Sequence, residues 1–80
     1  MRNSEYLLAE NKIDEAFKTG LTQLDLSKLN LSSLPKSIGK LKSLEILNLS
    51  ENPLIELPAS VGNLSNLKKL YLNESTLATL

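Results

Sequence analysis

The chain contains no histidine and no cysteine. An imidazole-activated nucleophile therefore cannot be assembled from it, and the commonest zinc ligands are missing. The oxygen donors Asp25, Asn48 and Glu51 come nearest to a cation site, but solvated polar residues on a strand give the same pattern. Gly20, Gly39 and Gly62 are too scattered to form a phosphate-cradling loop. No catalytic set, metal or cofactor is expected, which leaves the chemistry of contact. Gln23, Ile46 and Lys69 stand 23 residues apart, as do Asp25, Asn48 and Tyr71, and Ser27, Ser50 and Asn73. Lys28, Glu51 and Glu74 edge the last of these columns. Ile46 and Tyr71 are apolar where their neighbours are polar, and exposed aromatic residues are common anchors in interfaces.

These residues are positioned by an internal repeat. Leu21, Leu24, Leu26, Leu31, Leu34, Pro35, Ile38, Gly39 and Leu41 recur 23 residues later as Leu44, Leu47, Leu49, Leu54, Leu57, Pro58, Val61, Gly62 and Leu64. A third copy supplies Leu67, Leu70, Leu72, Leu77 and Leu80. One such unit cannot bury its own apolar face, so a period of this length predicts a stack. Each unit opens on alternating residues: Thr22–Ser27, Glu45–Ser50 and Lys68–Asn73. Alternation predicts strands with leucines inward and the columns outward. Equal phase makes those strands parallel neighbours. The spacing of Leu31, Leu34, Ile38 and Leu41 predicts a helical or turn-like return, broken from any sheet by Pro35 and Pro58.

The leading segment is different. Tyr6, Ala9, Ile13, Ala16 and Phe17 fall at helical spacing, opposite Glu5, Glu10, Lys12, Glu15 and Lys18. Either Asn3 or Ser4 caps a long helix, or Asn11 opens a shorter one from Lys12 to Thr19. Both end at Gly20, a residue suited to the left-handed position after a helix. The apolar stripe, Phe17 included, is expected to cover the exposed end of the first repeat.

The stretch Leu44-Glu45-Ile46-Leu47-Asn48-Leu49-Ser50-Glu51-Asn52-Pro53-Leu54 resembles the leucine-rich repeat signature. Its continuation from Leu57-Pro58 to Leu64 is similar to the 23-residue type of the intracellular Ras-related and bacterial Roco-type repeat proteins. The segment from Ile13 through Ser27 is similar to the helical cap and first repeat of that group. The resemblance spans about residues 12 to 80. It implies an α/β leucine-rich-repeat solenoid, with short parallel strands on the concave face and helical or turn-like convex returns. The N-terminal helical cap takes residues 1–20 and the repeats take 21–43, 44–66 and a partial 67–80, in one continuous domain.

The resemblance also implies a protein partner on the concave strand face, at Gln23, Asp25, Ile46, Asn48, Lys69, Tyr71 and Asn73. As an alternative it implies a regulatory or structural segment of a larger signalling protein such as a Roco-type GTPase. In such repeats an asparagine bonds to backbone groups inside the turn. That position holds Leu29, Asn52 and Ser75 here, so the ladder has at most one full member. The third copy ends at Leu80, before its proline, so Leu70, Leu72, Leu77 and Leu80 are expected to form an open end suited to further repeats or to a second copy.

The bulk properties set bounds. The hydrophobic fraction is 41% but aromatics are only 4%, so leucine must fill the core. Nine basic and nine acidic residues balance, without the basic excess that nucleic-acid binding requires. No apolar run suggests a signal peptide or membrane span, and a cytoplasmic location is expected. Four Asn-X-Ser sequons, at Asn30, Asn48, Asn63 and Asn73, follow from the repeat's own composition and are expected to be unmodified. Three strands about 4.8 Å apart span roughly 15 Å, and strands about 17 Å long would then offer only a few hundred Å². A standard interface takes about 800 Å² from each partner, so this face alone is too small for tight binding.

Overall fold

The computed structural model describes residues 4–74. Helix α1 runs Ser4–Thr19, followed by strands β1 (Gln23–Asp25), β2 (Ile46–Asn48) and β3 (Lys69–Tyr71) in one parallel sheet of order β1-β2-β3. Two short 3₁₀ helices, Lys36–Lys40 and Ala59–Asn63, form the returns between strands. The long reading of the leading helix is the observed one, and the Asn11 start is not used. Asn3 lies outside the described residues.

The period-two alternation is present, but its regular part is short. Each strand has three residues, about 10 Å of extended chain, where six were expected. The outer residues of each expected strand still pair across the sheet. The Thr22 carbonyl accepts from both Glu45 N (2.7 Å) and Ile46 N (3.0 Å), and the Glu45 carbonyl accepts from Lys68 N (2.7 Å) and Lys69 N (3.0 Å). Beyond the strands the chain turns sharply. Lys28 (φ 58°), Glu51 (φ 60°) and Glu74 (φ 56°) all adopt the left-handed region, at the same position of each copy. A strand cannot continue through that conformation.

The returns follow from the i, i+3 spacing of their apolar residues. Ile38 N bonds to Pro35 O (3.2 Å), Leu41 N to Ile38 O (3.2 Å) and Leu44 N to Leu41 O (3.1 Å). The second copy repeats this series through Pro58, Val61, Leu64 and Leu67, each bond at 3.1 Å. Such i→i+3 bonds define 3₁₀ structure, which suits runs of a few residues. The preceding prolines have extended backbone (φ −59° and −67°), so the chain leaves its previous course there.

The core is a single leucine-rich cluster, with Leu26, Leu44, Leu47, Leu49 and Leu54 fully buried between sheet and returns. Inside it, Asn52 is 1% exposed. Its Oδ1 accepts from Leu29 N (3.0 Å) and Leu31 N (3.1 Å), while its Nδ2 donates to Leu26 O (2.9 Å) and Leu49 O (3.0 Å). One buried amide thus satisfies backbone groups of two successive copies. Leu29, at the asparagine position of the first copy, supplies one of those N–H groups and is partly buried. Ser75, the third occupant, lies outside the described residues.

Helix α1 closes the stack's leading end with Ala9, Ile13 and Ala16, all buried. Leu21 N reaches back to Ala16 O (3.0 Å) across Gly20 at φ 65°, the bond that closes a Schellman turn. Phe17 corrects the expected stripe: it is 53% exposed. At 3.6 residues per turn it lies about 75° round from the mean direction of Ala9, Ile13 and Ala16. Two alanines let the helix approach the first repeat closely, and the ring of Phe17 is left at the rim.

Candidate interaction surface

The register brings the predicted columns together. Gln23 pairs with Ile46 and Ile46 with Lys69; Asp25 pairs with Asn48 and Asn48 with Tyr71. Gln23, Leu24, Asp25, Ile46, Asn48 and Tyr71 line one shallow depression of about 390 Å³. Tyr71 is 41% exposed and Ile46 is half-buried between its neighbours. Lys69 is exposed but does not line the depression, and neither does Asn73. Asn73 instead serves the turn: its amide donates to Ser50 Oγ (3.1 Å) and its carbonyl accepts from Glu51 N (2.7 Å).

Two polar residues of the depression are held by bonds to the residues that follow them. Asp25 Oδ1 accepts from Ser27 N (2.9 Å) and Ser27 Oγ (2.6 Å), and Asn48 Oδ1 accepts from Ser50 N (3.0 Å). These are the same side chain-to-backbone turn in two successive copies. Tyr71, at the third position, has no such carbonyl, so its ring is free to project. The Ser27 hydroxyl and then the Ser27 amide hold the Asp25 carboxyl below the usual carboxylate range, with weaker attraction from Lys12 and Lys28. Asp25 and Asn48 line the depression and Glu51 does not; Glu51 faces Lys28 at 3.9 Å. Among the described residues no three acidic side chains form a metal-holding group.

At the trailing end, Leu70 and Leu72 are partly buried, with Leu57, Val61 and Leu67 beside them. Their counterparts Leu47, Leu49, Ile38 and Leu44 are fully buried, and Leu34 is 4% exposed. Leu77 and Leu80 lie outside the described residues.

Two features had no clear sequence signal. Three left-handed positions one repeat apart are occupied by Lys28, Glu51 and Glu74, where glycine or asparagine would have marked a turn. On the convex side Asn66 Nδ2 donates to Lys42 O (2.7 Å) and Lys42 Nζ to Asn63 O (3.1 Å), which ties consecutive returns together.

In-register parallel strands, returns of matching phase and a buried asparagine bridging two copies define a repeat protein with an exposed strand face. The family model described as a leucine-rich repeat region matches residues 15–79, and the chain belongs to that family. Leucine-rich repeat domains generally mediate protein–protein interaction and are typically not catalytic. A comparison with curated proteins finds no match. Among the described residues no helix is long and apolar enough to cross a membrane.

Proposed function

We propose that this chain is a non-catalytic protein-binding module whose partner docks on the concave strand face of a short solenoid, in the cytoplasm. The observation that carries this reading is the juxtaposition of Ile46 and the projecting Tyr71 ring in one depression with Gln23, Asp25 and Asn48. An apolar centre with a polar margin is the usual anatomy of a specific contact. Lys69 and Asn73 extend the margin along the third strand. Three-residue strands make the face smaller still than the sequence suggested, so the affinity is modest or the partner reaches beyond the sheet.

The test is to isolate a partner from native lysate and compare variants. Tyr71→Ala and Ile46→Ser are expected to weaken binding about tenfold or more, as central anchors do. Unchanged binding by both, with loss on convex-side substitution, would assign the contact to the other face.

The partly buried row Leu57, Val61, Leu67, Leu70 and Leu72 favours a second reading. In it the stack continues, either as part of a larger signalling protein of the Roco type or against a second copy. Light scattering over a concentration series tests the second copy. A monomer at every concentration would remove it.

A further inference from the structure

The rim between α1 and the first return is a second apolar feature, separate from the strand face. Phe17 is 53% exposed and Leu21 is 43% exposed. With Ala16, Gly20 and Leu41 they border an open groove of about 150 Å³, which Lys40, Lys42 and Ser43 also line. Both charged residues lining it are lysines, and no acidic residue lines it. The Lys40 ammonium lies 5.8 Å from the centroid of the Phe17 ring, a cation–π distance. Lys42 borders the groove, but its ammonium is drawn to Asn63 O of the second return (3.1 Å), which leaves Lys40 as the charge beside the ring. Lys18 is near in sequence, but its charge is matched by Asp14 at 3.1 Å.

Closing the stack does not require an exposed phenylalanine here. Ala9, Ile13 and Ala16 already cover the first repeat. A ring and a leucine left beside the Lys40 ammonium form a surface complementary to one kind of ligand: an apolar side chain next to a carboxylate.

We propose that this groove docks a short acidic segment of a partner protein, which seats one leucine or phenylalanine against Phe17 and Leu21. A carboxylate beside that residue meets Lys40. The site is independent of the strand face and stands or falls separately from it.

The experiment titrates the intact 80-residue protein, isotopically labelled for amide NMR, with a capped hexapeptide. Its central Leu-Phe pair carries two glutamates on each side. Saturable shifts are expected at Ala16–Leu21 and Lys40–Ser43, with a dissociation constant of roughly 0.1–1 mM for so small a contact. Phe17→Ala is expected to abolish the shifts, and Lys40→Glu to weaken binding about fivefold or more. Lys36→Glu makes the same charge change outside the groove and should bind like the parent. Circular dichroism melts establish that each variant is folded. Raising the salt to about 0.5 M should weaken the contact, because exposed charges are then screened.

Absence of shifts up to several millimolar peptide would overturn the proposal. So would equal binding of a peptide with lysine flanks, or shifts confined to the strand face. Sedimentation of the protein with phosphatidylserine vesicles through Phe17 and Lys40, while the peptide stays silent, would reassign the groove to a membrane surface and equally overturn it.

Discussion

Gly39 stands so close to Ser60 that a Cβ built on it would lie 2.8 Å from Ser60 Cβ and 3.0 Å from Ser60 O. This is where the first return packs on the second, and the missing side chain sets how closely they approach. Gly62 is the same residue one copy later, and nothing lies within 4 Å of its corresponding Cβ among the described residues. Equal sequence positions therefore carry unequal constraints. Gly39→Ala is expected to cost about 1–3 kcal/mol by overpacking. Gly62→Ala, with no positive φ to oppose it, should be neutral or stabilising by up to about 1 kcal/mol. Urea melts of the two variants check the contrast, and equal losses would show that Gly39 is not pinned by its neighbour. Ser60 Oγ is buried without a hydrogen-bond partner, so Ser60→Ala should not destabilise.

Asn52 bonds to backbone groups of two successive copies. Asn52→Leu would leave the amides of Leu29 and Leu31 and the carbonyls of Leu26 and Leu49 short of partners. Each orphaned buried group costs about 1–3 kcal/mol. Even partial relaxation leaves an expected loss of about 3 kcal/mol or more, a large part of the stability of so small a domain. Hydrogen exchange should quicken first at Leu29 and Leu31. If those amides stay protected in a fully folded variant, the side chain is not their essential acceptor.

The cap contributes through Ile13, not Phe17. Ile13 is fully buried, and Ile13→Ala is expected to cost about 2–5 kcal/mol. Phe17→Ala should cost about 1 kcal/mol or less, since more than half of that residue already faces solvent. Thermal melts compare the pair directly. A larger loss at Phe17 would mean that the helix sits on the repeat through a different face.

Asp25 sets a pH dependence whose sign follows from its hydrogen bonds. Its folded pKa is lowered, so the folded state favours the ionised carboxyl. The resulting stability is present above the unfolded carboxylate value near 3.9 and is lost as pH falls through the lower folded value. Asp25→Asn keeps the amide bond to residue 27, as Asn48 does for Ser50, but cannot titrate. Stability near pH 7 should change little, and the loss as pH falls below about 4 should shrink. An identical acid limb in the variant would place that dependence on other carboxylates.

Much of the strand face was legible because a strict 23-residue period forces register. Once the leucines must coincide from copy to copy, Gln23, Ile46 and Lys69 have to align, and so do Asp25, Asn48 and Tyr71. The spacing of Leu34, Ile38 and Leu41 and the prolines before them specified returns instead of longer strands. Gly20 marked the end of the helix because a left-handed turn there strains any other common residue. These are local rules of chain geometry, and composition and spacing express them directly.

Other features depended on distances between parts of the chain that no local rule contains. The sharp turn after each strand is made by Lys28, Glu51 and Glu74, which take a left-handed backbone despite their side chains. The exposure of Phe17 was decided by how closely two alanines let α1 approach the first repeat. The difference between Gly39 and Gly62 was decided by the close approach of Ser60 to Gly39, which has no counterpart at Gly62 among the described residues. In each case the same residue type satisfies the sequence pattern equally well. Only packing in three dimensions sets which atoms meet, because side-chain contact depends on the approach of whole elements and not on spacing along one of them.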